Sequence, residues 1–214
     1  MRFGMVIDIR KCIGCEACAI VCKQSNQIPY ESWRRVVDCG VSDAPDRVRV
    51  FFPMSCMHCS EPPCLDVCPT KATYRRSDGI IDIDNKLCIG CAYCIVACPY
   101  HARRIIYHDN ADFEEKTIEH ELNVEDIKKE SIGICTKCNF CQQRIDKGLS
   151  MALRPGVDPD ATPMCVISCS ADALHFGDID DADSEVSQLI RDNQTVCLKE
   201  EVGTHPAVYY IVEE

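Results

Sequence analysis

The feature that most constrains this chain is a run of four cysteines that occurs twice with identical spacing. The first run is CIGCEACAIVC, from Cys12 to Cys22, and the second is CIGCAYCIVAC, from Cys88 to Cys98. Both runs follow the pattern C-x2-C-x2-C-x3-C and keep an Ile-Gly pair after the first cysteine. Asp8 and Asp84 stand four residues before their respective runs. The chain therefore carries two copies of one structural unit.

This spacing is typical of bacterial proteins that bind 4Fe–4S clusters. The first three thiolates surround one cluster, whereas the fourth cysteine lies past the loop, at the start of a helix, and binds a second cluster. Each group of cysteines therefore needs a second group that returns a ligand. Two further groups are present, CMHCSEPPCLDVC and the looser CTKCNFC followed by CVISC. Four groups make two reciprocal pairs, which predicts four 4Fe–4S clusters.

Nineteen cysteines in 214 residues are also found in disulfide-rich and zinc-binding chains. A disulfide framework is typical of short secreted chains with an even cysteine count. This chain is long, its count is odd, and no signal peptide is expected before Cys12. Structural zinc sites use two separated cysteine pairs per ion and rarely add a third cysteine at the same interval. The spacing favours iron–sulfur clusters, with a zinc-stapled interaction module as the rival hypothesis.

Composition and motifs argue against several other functions. The net charge of −11 argues against a phosphate-binding surface, because nucleic-acid binding needs clustered Lys and Arg. No run of about eighteen apolar residues is present, so no membrane-spanning helix is expected. The cysteine groups have no nucleophile–base pair, carboxylate pair or nucleotide-binding glycine loop around them. We therefore expect a chain that carries electrons and leaves bond-making to a partner.

The pattern of the remaining residues predicts short strands and helices around the cysteine groups. Strands are predicted at residues 4–9, 104–108, 173–176 and 207–212, and a hairpin at residues 72–84 with its turn at Ser77-Asp78-Gly79. Helices are predicted at residues 110–130 and at residues 184–191, the latter with Asp183 as its N-cap. Residues 26–49 are too long for a turn, and we expect them to pack over the clusters or against a partner. Strand, cysteine loop, short helix and strand form a ferredoxin-like unit, here used twice.

The central stretch CMHCSEPPCLDVCPTKATYRRSDGIIDIDNKLCIGCAYCIVACPYHARRI resembles the four-cluster iron–sulfur subunits of the DMSO reductase family of molybdenum enzymes. The opening MVIDIRKCIGCEACAIVCK, the later ALHFGDIDDADSEVSQLI and the closing GTHPAVYYI are also similar to this family. Its members are the electron-transfer subunits of polysulfide, thiosulfate, tetrathionate, arsenate and DMSO reductases. The resemblance implies an α+β fold of two interleaved ferredoxin-like modules, with connecting insertions and a C-terminal helix–strand extension.

The resemblance also implies which cysteines share a cluster, because the family pairs the first group with the fourth and the second with the third. Cluster 1 would take Cys12, Cys15, Cys18 and Cys169. Cluster 2 would take Cys56, Cys59, Cys64 and Cys98. Cluster 3 would take Cys88, Cys91, Cys94 and Cys68. Cluster 4 would take Cys138, Cys141, Cys165 and Cys22.

On this pairing, each module is assigned a part of the chain. The outer module takes residues 1–30 plus 131–177, and the inner module takes residues 50–108. Residues 31–49 and 109–130 are connections, and residues 178–214 form the C-terminal extension.

The fourth group departs from the family pattern. Cys169-Ser170 stands where the family usually has Cys-Pro, and the connections around this group are longer than usual. Cys135, Cys138 and Cys141 form a C-x2-C-x2-C of their own. The family's KCxxC matches KCNFC, so Cys138 and Cys141 are preferred as ligands, but the spacing leaves open whether Cys135 replaces one of them.

Other residues have both a structural and a functional interpretation. Cys39 and Cys197 are predicted to be small buried hydrophobes. His58 and Lys137 lie inside ligand loops, where they would either tune the nearest cluster electrostatically or be ordinary surface or hydrogen-bonded residues. Trp33 and the two arginines that follow it are either a core tryptophan with its neighbours or an anchor for a partner.

By resemblance, the chain serves a large catalytic subunit with a molybdenum bis-pterin centre, together with a membrane quinol-binding anchor subunit. Electrons would run from quinol through the clusters to molybdenum, or in reverse. The alternative is a ferredoxin-like subunit of a hydrogenase or formate dehydrogenase complex. Relatives are often exported folded beside a catalytic subunit, so the expected location is the outer face of a bacterial cytoplasmic membrane, with the cytoplasm as the alternative.

Overall fold

A computed structural model of the chain describes residues 1–28, 32–41, 49–105 and 132–212. Within these residues, short strands and short helices alternate, and the architecture is α+β. The strands are β1 (Phe3–Asp8), β2 (Arg35–Val41), β3 (Arg49–Met54), β4 (Thr73–Arg75), β5 (Ile81–Ile83), β6 (Arg104–Ile105), β7 (Cys135–Thr136), β8 (Leu174–Asp178), β9 (Thr195–Val196) and β10 (Val208–Ile211). The helices are α1 (Ala17–Ser25), α2 (Pro63–Asp66), α3 (Tyr93–Ala97), α4 (Gln142–Ser150), α5 (Met164–Ile167) and α6 (Glu185–Asp192). Single 3-10 turns lie at Pro159–Ala161 and Glu200–Val202.

A four-stranded sheet with the order β8-β1-β10-β9 joins the beginning of the chain to its end. Strand β1 reads FGMVID, and all six residues are buried, as expected for a central strand that is covered on both faces. It pairs antiparallel with β8 and parallel with β10, so that Met5 lies opposite Phe176 on one side and Val208 on the other. The strands predicted at residues 4–9, 173–176 and 207–212 are thereby confirmed.

In the described part of the chain, three antiparallel strand pairs lie outside this sheet. Strands β4 and β5 form the predicted hairpin, and Gly79 takes a φ of +82° in its turn, which glycine adopts without strain. Strand β6 pairs with β7, which confirms the predicted return strand at Arg104–Ile105. The rest of that strand and the helix predicted at residues 110–130 lie outside the described residues. Strands β2 and β3 form a hairpin within the long connection that follows the first cysteine group.

The C-terminal extension contains the predicted helix, but its cap is not the predicted residue. Helix α6 is capped by Ser184, whose hydroxyl accepts the Ser187 backbone N–H over 3.2 Å. The prediction of Asp183 as N-cap is therefore wrong. The backbone N–H of Asp183 is bound to the Asp181 carboxylate in the preceding turn, so the extended N-cap conformation falls one residue later. The helix packs against β8 and β1, and its Val186 lies in one buried cluster with Val6 and Ile211.

Aromatic rings fill the space between the main sheet and the cysteine loops. Phe3 stacks on Phe176 with ring centroids 5.3 Å apart, and Phe140 meets Phe176 edge-on at 5.2 Å. His58 stacks on the other side of this group, with its ring centroid 3.8 Å from that of Phe140. The cysteine loops are therefore held on a rigid apolar base.

Part of the connection at residues 26–49 packs over the core, whereas its packing over the clusters stays a prediction. Trp33 is half-buried against the core, and its Nε1–H donates to the Thr136 hydroxyl over 3.2 Å. Arg34, the next residue, is buried. Among the residues that the structure describes, none of the helices combines the length and apolar character needed to cross a membrane.

Candidate functional site

The two copies of the cysteine run fold in the same way. In each copy the glycine two residues after the first cysteine has a positive φ, +68° at Gly14 and +67° at Gly90. The residue before the helix is also left-handed, with a φ of 58° at Glu16 and 65° at Ala92. These two positions curl each loop, and helix α1 or α3 begins directly after it. Glycine is required in the second copy, because a Cβ on Gly90 would collide with the Gly133 carbonyl oxygen.

The aspartate in front of each run makes the same turn in both copies. The Asp8 carboxylate accepts the Arg10 backbone N–H over 3.0 Å, and the Asp84 carboxylate accepts the Lys86 backbone N–H over 2.9 Å. The buried Asp8 also binds the Arg10 guanidinium through both oxygens, at 2.9 Å and 2.8 Å. Burial alone would raise the pKa of Asp8, but the hydrogen bonds and charge of Arg10 lower it below its ordinary value. The duplication therefore extends from the sequence into the local structure.

The predicted ligands of clusters 1, 2 and 3 line three cavities. The first cavity is lined by Cys12, Cys15, Cys18 and Cys169. The second is lined by Cys56, Cys59, Cys64 and Cys98. The third is lined by Cys68, Cys88, Cys91 and Cys94, and also by Cys135. The three cavities are similar in size and are all lined by four or more cysteines, as expected if each holds the same kind of prosthetic group.

The predicted ligands of cluster 4 form a fourth set of neighbouring thiols. The Asn26 side-chain amide donates to the sulfurs of Cys22 and Cys141, over 3.8 Å and 4.0 Å. The thiols of Cys138 and Cys165 are buried. Both lie close enough to Cys22 for the negative charge of its thiolate to raise their pKa. The structure thus brings together each of the four sets implied by the resemblance, while the ligand assignment itself stays a prediction.

Burial and crowding keep these thiols protonated until metal ions bind among them. Burial, with neighbouring thiols, raises the pKa of Cys59 to about 12 and that of Cys165 to about 11. Burial likewise raises the pKa of Cys138. Crowded thiols of this kind give up their protons when a metal replaces them, because the thiolate is the form that binds iron. The donor set therefore fits an iron–sulfur cluster.

Backbone N–H groups donate to several of the cysteine sulfurs, Cys68 and Cys169 among them. The Thr73 nitrogen lies 3.5 Å from the Cys68 sulfur, and the Ala173 nitrogen lies 3.3 Å from the Cys169 sulfur. Burial alone would raise the pKa of Cys68, but hydrogen bonds from Thr73 and Thr70 outweigh it and lower that pKa. Amide hydrogen bonds to ligand sulfur are one of the means by which a protein sets the potential of a cluster.

Cys135 lies at the third cavity and not beside Cys138 and Cys141. The pairing of β7 with β6 carries it there. Its backbone N–H donates to the Cys88 sulfur over 3.4 Å, and its own sulfur lies 3.5 Å from the Cys94 sulfur, within hydrogen-bond distance. This thiol hydrogen bond lowers the pKa of Cys94 and raises that of Cys135. The lowered pKa of Cys94 agrees with its prediction as a ligand of cluster 3, whereas Cys135 is an additional thiol beside that set.

The two isolated cysteines differ from each other. Cys39 is exposed, so the prediction that it is buried is wrong, because residues 37–39 of β2 are all exposed. Cys197 is partly buried, and burial raises the pKa of its thiol to about 11.

His58 and Lys137 are both buried, which contradicts their interpretation as surface residues. The His58 Nδ1 accepts the Ile81 backbone N–H over 3.1 Å. Burial, with the charges of Lys137 and Arg103, holds the pKa of His58 well below its usual range, so the imidazole is neutral. The Lys137 ammonium donates to the carbonyl oxygens of Ile81 and Cys138, the latter over 2.9 Å. Lys137 therefore joins β5 to the fourth cysteine group.

Two buried arginines were not found as site residues from the sequence. Arg34 is 1% exposed and Arg103 is 3% exposed. In the sequence, Arg34 belongs to a Trp-Arg-Arg stretch, a composition that interfaces favour, and Arg103 belongs to none of the motifs described above. Only their burial beside the thiols distinguishes them from surface arginines, because Arg is mostly exposed in proteins.

Sets of thiols on curled loops, with N–H donors to sulfur and buried cations beside them, define the site of an iron–sulfur protein. A structural zinc site would instead need four ligands that converge on one ion. Within the described ranges, no three side chains of His, Cys, Asp or Glu converge in that way.

Comparison with known proteins agrees with this class. A family described as a 4Fe-4S dicluster domain matches residues 48–121. The chain is 39% identical to the iron–sulfur subunit of a putative dimethyl sulfoxide reductase of Halobacterium salinarum, over 98% of this chain and 79% of that protein. It is also similar to the B subunits of two other reductases. That of the selenate reductase of Mesobacillus selenatarsenatis is 39% identical (99% of this chain and 72% of that protein), and that of the tetrathionate reductase of Salmonella typhimurium is 36% identical (98% and 72%).

The extent of these matches settles the family. The chain belongs to the iron–sulfur subunits of this group of reductases, and it is an electron-transfer subunit with 4Fe–4S clusters.

Proposed function

We propose that the chain carries four 4Fe–4S clusters and conducts electrons between a donor, such as a quinol-linked membrane partner, and a molybdopterin catalytic subunit. The observation that carries this proposal is the presence of four sets of four cysteines, each of which combines two groups distant in sequence. The proposed ligands are Cys12, Cys15, Cys18 and Cys169 for cluster 1, Cys56, Cys59, Cys64 and Cys98 for cluster 2, Cys88, Cys91, Cys94 and Cys68 for cluster 3, and Cys138, Cys141, Cys165 and Cys22 for cluster 4.

The reciprocal sharing of ligands supports two interleaved ferredoxin-like modules. Helix α1 of the first cysteine group packs against α5 of the fourth, and helix α2 of the second packs against α3 of the third. The outer module then comprises residues 1–30 plus 131–177, and the inner module residues 50–108. Residues 31–49 and 109–130 connect the modules, and residues 178–214 extend the outer one through the main sheet.

The work of this chain is to hold its clusters and to adjust their potentials. A 4Fe–4S cluster supplies transfer of one electron at a time. The thiolates hold the iron, the aromatic core and half-buried Trp33 exclude water, and the N–H groups of Thr73 and Ala173 donate to ligand sulfur. We assign no catalytic residue to the chain, and bond-making belongs to the partner.

The names of the relatives support the proposed partner. The relatives are named as subunits of reductases for dimethyl sulfoxide, selenate and tetrathionate, which supports a large catalytic subunit with a molybdenum bis-pterin centre. A membrane quinol-binding anchor completes the proposed complex. We place the complex on the outer face of the cytoplasmic membrane, reached by export together with the catalytic subunit.

Anaerobic purification of the chain, with its co-purifying subunits, tests the proposal. Four clusters require about sixteen iron and sixteen sulfide ions per chain, together with EPR signals that appear on reduction with dithionite. Cys39→Ala should keep this content, because Cys39 is exposed and outside the four sets. A colourless chain that contains zinc and no sulfide would refute the proposal. Recovery of a hydrogenase or formate dehydrogenase catalytic subunit would contradict only the proposed reductase partner and would leave the proposed clusters in place.

A further inference from the structure

Arg34 and Arg103 are buried, and neither has a carboxylate partner in the part of the chain that the structure describes. A buried guanidinium is unfavourable unless an anion compensates its charge. Within the described residues, the side-chain partners of Arg34 and Arg103 are thioether, hydroxyl and thiol groups, and none of them is a carboxylate. Among the residues that the structure describes, the neighbouring cysteine thiols are therefore the groups that can supply negative charge to both arginines.

Arg34 lies between the first and fourth cysteine sets. Its Nη2 donates to the Met5 sulfur over 3.0 Å and to the Ser55 hydroxyl over 3.2 Å. Its Nη1 is buried and has no hydrogen-bond partner within the described residues. The groups whose negative charge would stabilise this guanidinium most are the neighbouring thiolates. One of them, Cys18, belongs to the first set, and three belong to the fourth set, namely Cys165, Cys138 and Cys22.

Arg103 occupies the same kind of position between the second and third sets. Its Nη2 donates to the Cys64 sulfur over 3.1 Å, which places it directly against a predicted ligand of the second cluster. Its Nη1 donates to the Thr73 hydroxyl over 3.1 Å and lies 3.9 Å from the Cys135 sulfur. The thiolate of Cys94, in the third set, would also stabilise the positive charge of Arg103. Each pair of cysteine sets thus has a buried arginine beside it.

We propose that Arg34 and Arg103 are internal counter-cations of the clusters, each raising the reduction potentials of the two clusters between which it lies. This inference rests on the proposed function. A 4Fe–4S core held by four thiolates is anionic and gains one more negative charge on reduction. A fixed positive charge nearby stabilises the reduced form more than the oxidised form, and burial keeps that effect from being screened by solvent.

The test compares Arg34→Met and Arg103→Met with Arg34→Lys and Arg103→Lys in the anaerobically purified complex. Midpoint potentials are measured by redox titration followed by EPR. Each Met variant should lower the reduction equilibrium constants of two clusters by about tenfold or more, which is about 59 mV for a one-electron step. The two clusters affected by one variant should be those unaffected by the other. The Lys variants should keep potentials near those of the wild type, as should Arg191→Met, which removes an exposed positive charge.

Loss of iron is also informative. Iron lost from a Met variant but kept by its Lys counterpart supports the proposal, because the cluster then depends on the charge. Iron lost equally from both overturns it, because the guanidinium shape and not the charge is then required. Full iron with unchanged potentials in the Met variants overturns it as well. In every case, about sixteen iron ions in the wild-type chain show that the proposed function stands on its own.

Discussion

Replacing Gly90 with alanine is predicted to disrupt the third cysteine set, whereas Gly203→Ala is predicted to be tolerated. Both glycines have nearly the same left-handed φ, +67° and +70°. An alanine held in this conformation costs about 1–2 kcal/mol at either position. A Cβ on Gly203 would meet nothing within 4 Å, whereas a Cβ on Gly90 would collide with the backbone carbonyl of Gly133.

The collision adds a second cost at Gly90 only. A backbone carbonyl cannot rotate aside as a flexible side chain can, and overpacking of this kind costs about 1–3 kcal/mol. Gly90→Ala should therefore lower the free energy of unfolding by about 2–5 kcal/mol, against about 1–2 kcal/mol for Gly203→Ala. Because Gly90 lies between Cys88 and Cys91, displacement of the loop should also release one cluster, or about four of sixteen iron ions.

Anaerobic guanidinium unfolding and iron analysis measure both effects. We expect a lower unfolding midpoint and reduced iron in Gly90→Ala, with wild-type iron and a small shift in Gly203→Ala. Equal loss of stability in the two variants, with full iron in both, would refute the reasoning, because the left-handed backbone would then be the whole cost.

Other outcomes follow from the same structure. Cys135→Ala should retain the wild-type iron and sulfide, whereas Cys138→Ala should lose about four of each; equal losses would contradict the ligand assignment. Asp8→Asn should lower the free energy of unfolding by about 1–3 kcal/mol, and Asp84→Asn should lower it by less. Of these two aspartates, only Asp8 is buried and pairs with the Arg10 side chain. Unfolding midpoints in guanidinium chloride measure the difference. The pKa of Asp8 is lowered by folding, so this contribution is complete above its ordinary pKa of 3.8 and is lost only as the pH falls through the lower folded value. The difference between wild type and Asp8→Asn should therefore be constant from about pH 5 to about pH 8, and a change within that window would contradict it. Oxidative removal of the clusters in the presence of a chelator should abolish cooperative unfolding seen by circular dichroism; an equally cooperative transition afterwards would show that the thiol sets hold their shape unaided.

Local patterns in the sequence predicted much of what the structure contains. The strands at residues 4–9, 173–176 and 207–212 and the hairpin at residues 72–84 follow from apolar runs and turn residues that act over a few positions. The N-cap of α6 was misplaced by one residue, since Asp183 and Ser184 are both good capping residues. The bonding of Asp183 to the preceding turn decided between them.

Contacts between distant segments could not be predicted in this way. Spacing grouped Cys135 with Cys138, but the pairing of β7 with β6 places its thiol against Cys94. The sequence allowed either a core tryptophan or a partner anchor at Trp33. In the structure Trp33 packs against the core, and Arg34 beside it is fully buried, which no local pattern indicated.

The sequence by itself determined the chemistry of this chain, because cysteine spacing over eleven residues sets which loops can surround a cluster. Only the tertiary structure decided which thiols meet across the chain and which cations lie among them. Those choices depend on segments far apart in sequence, such as Arg103 against Cys64, and no local pattern records how such segments pack.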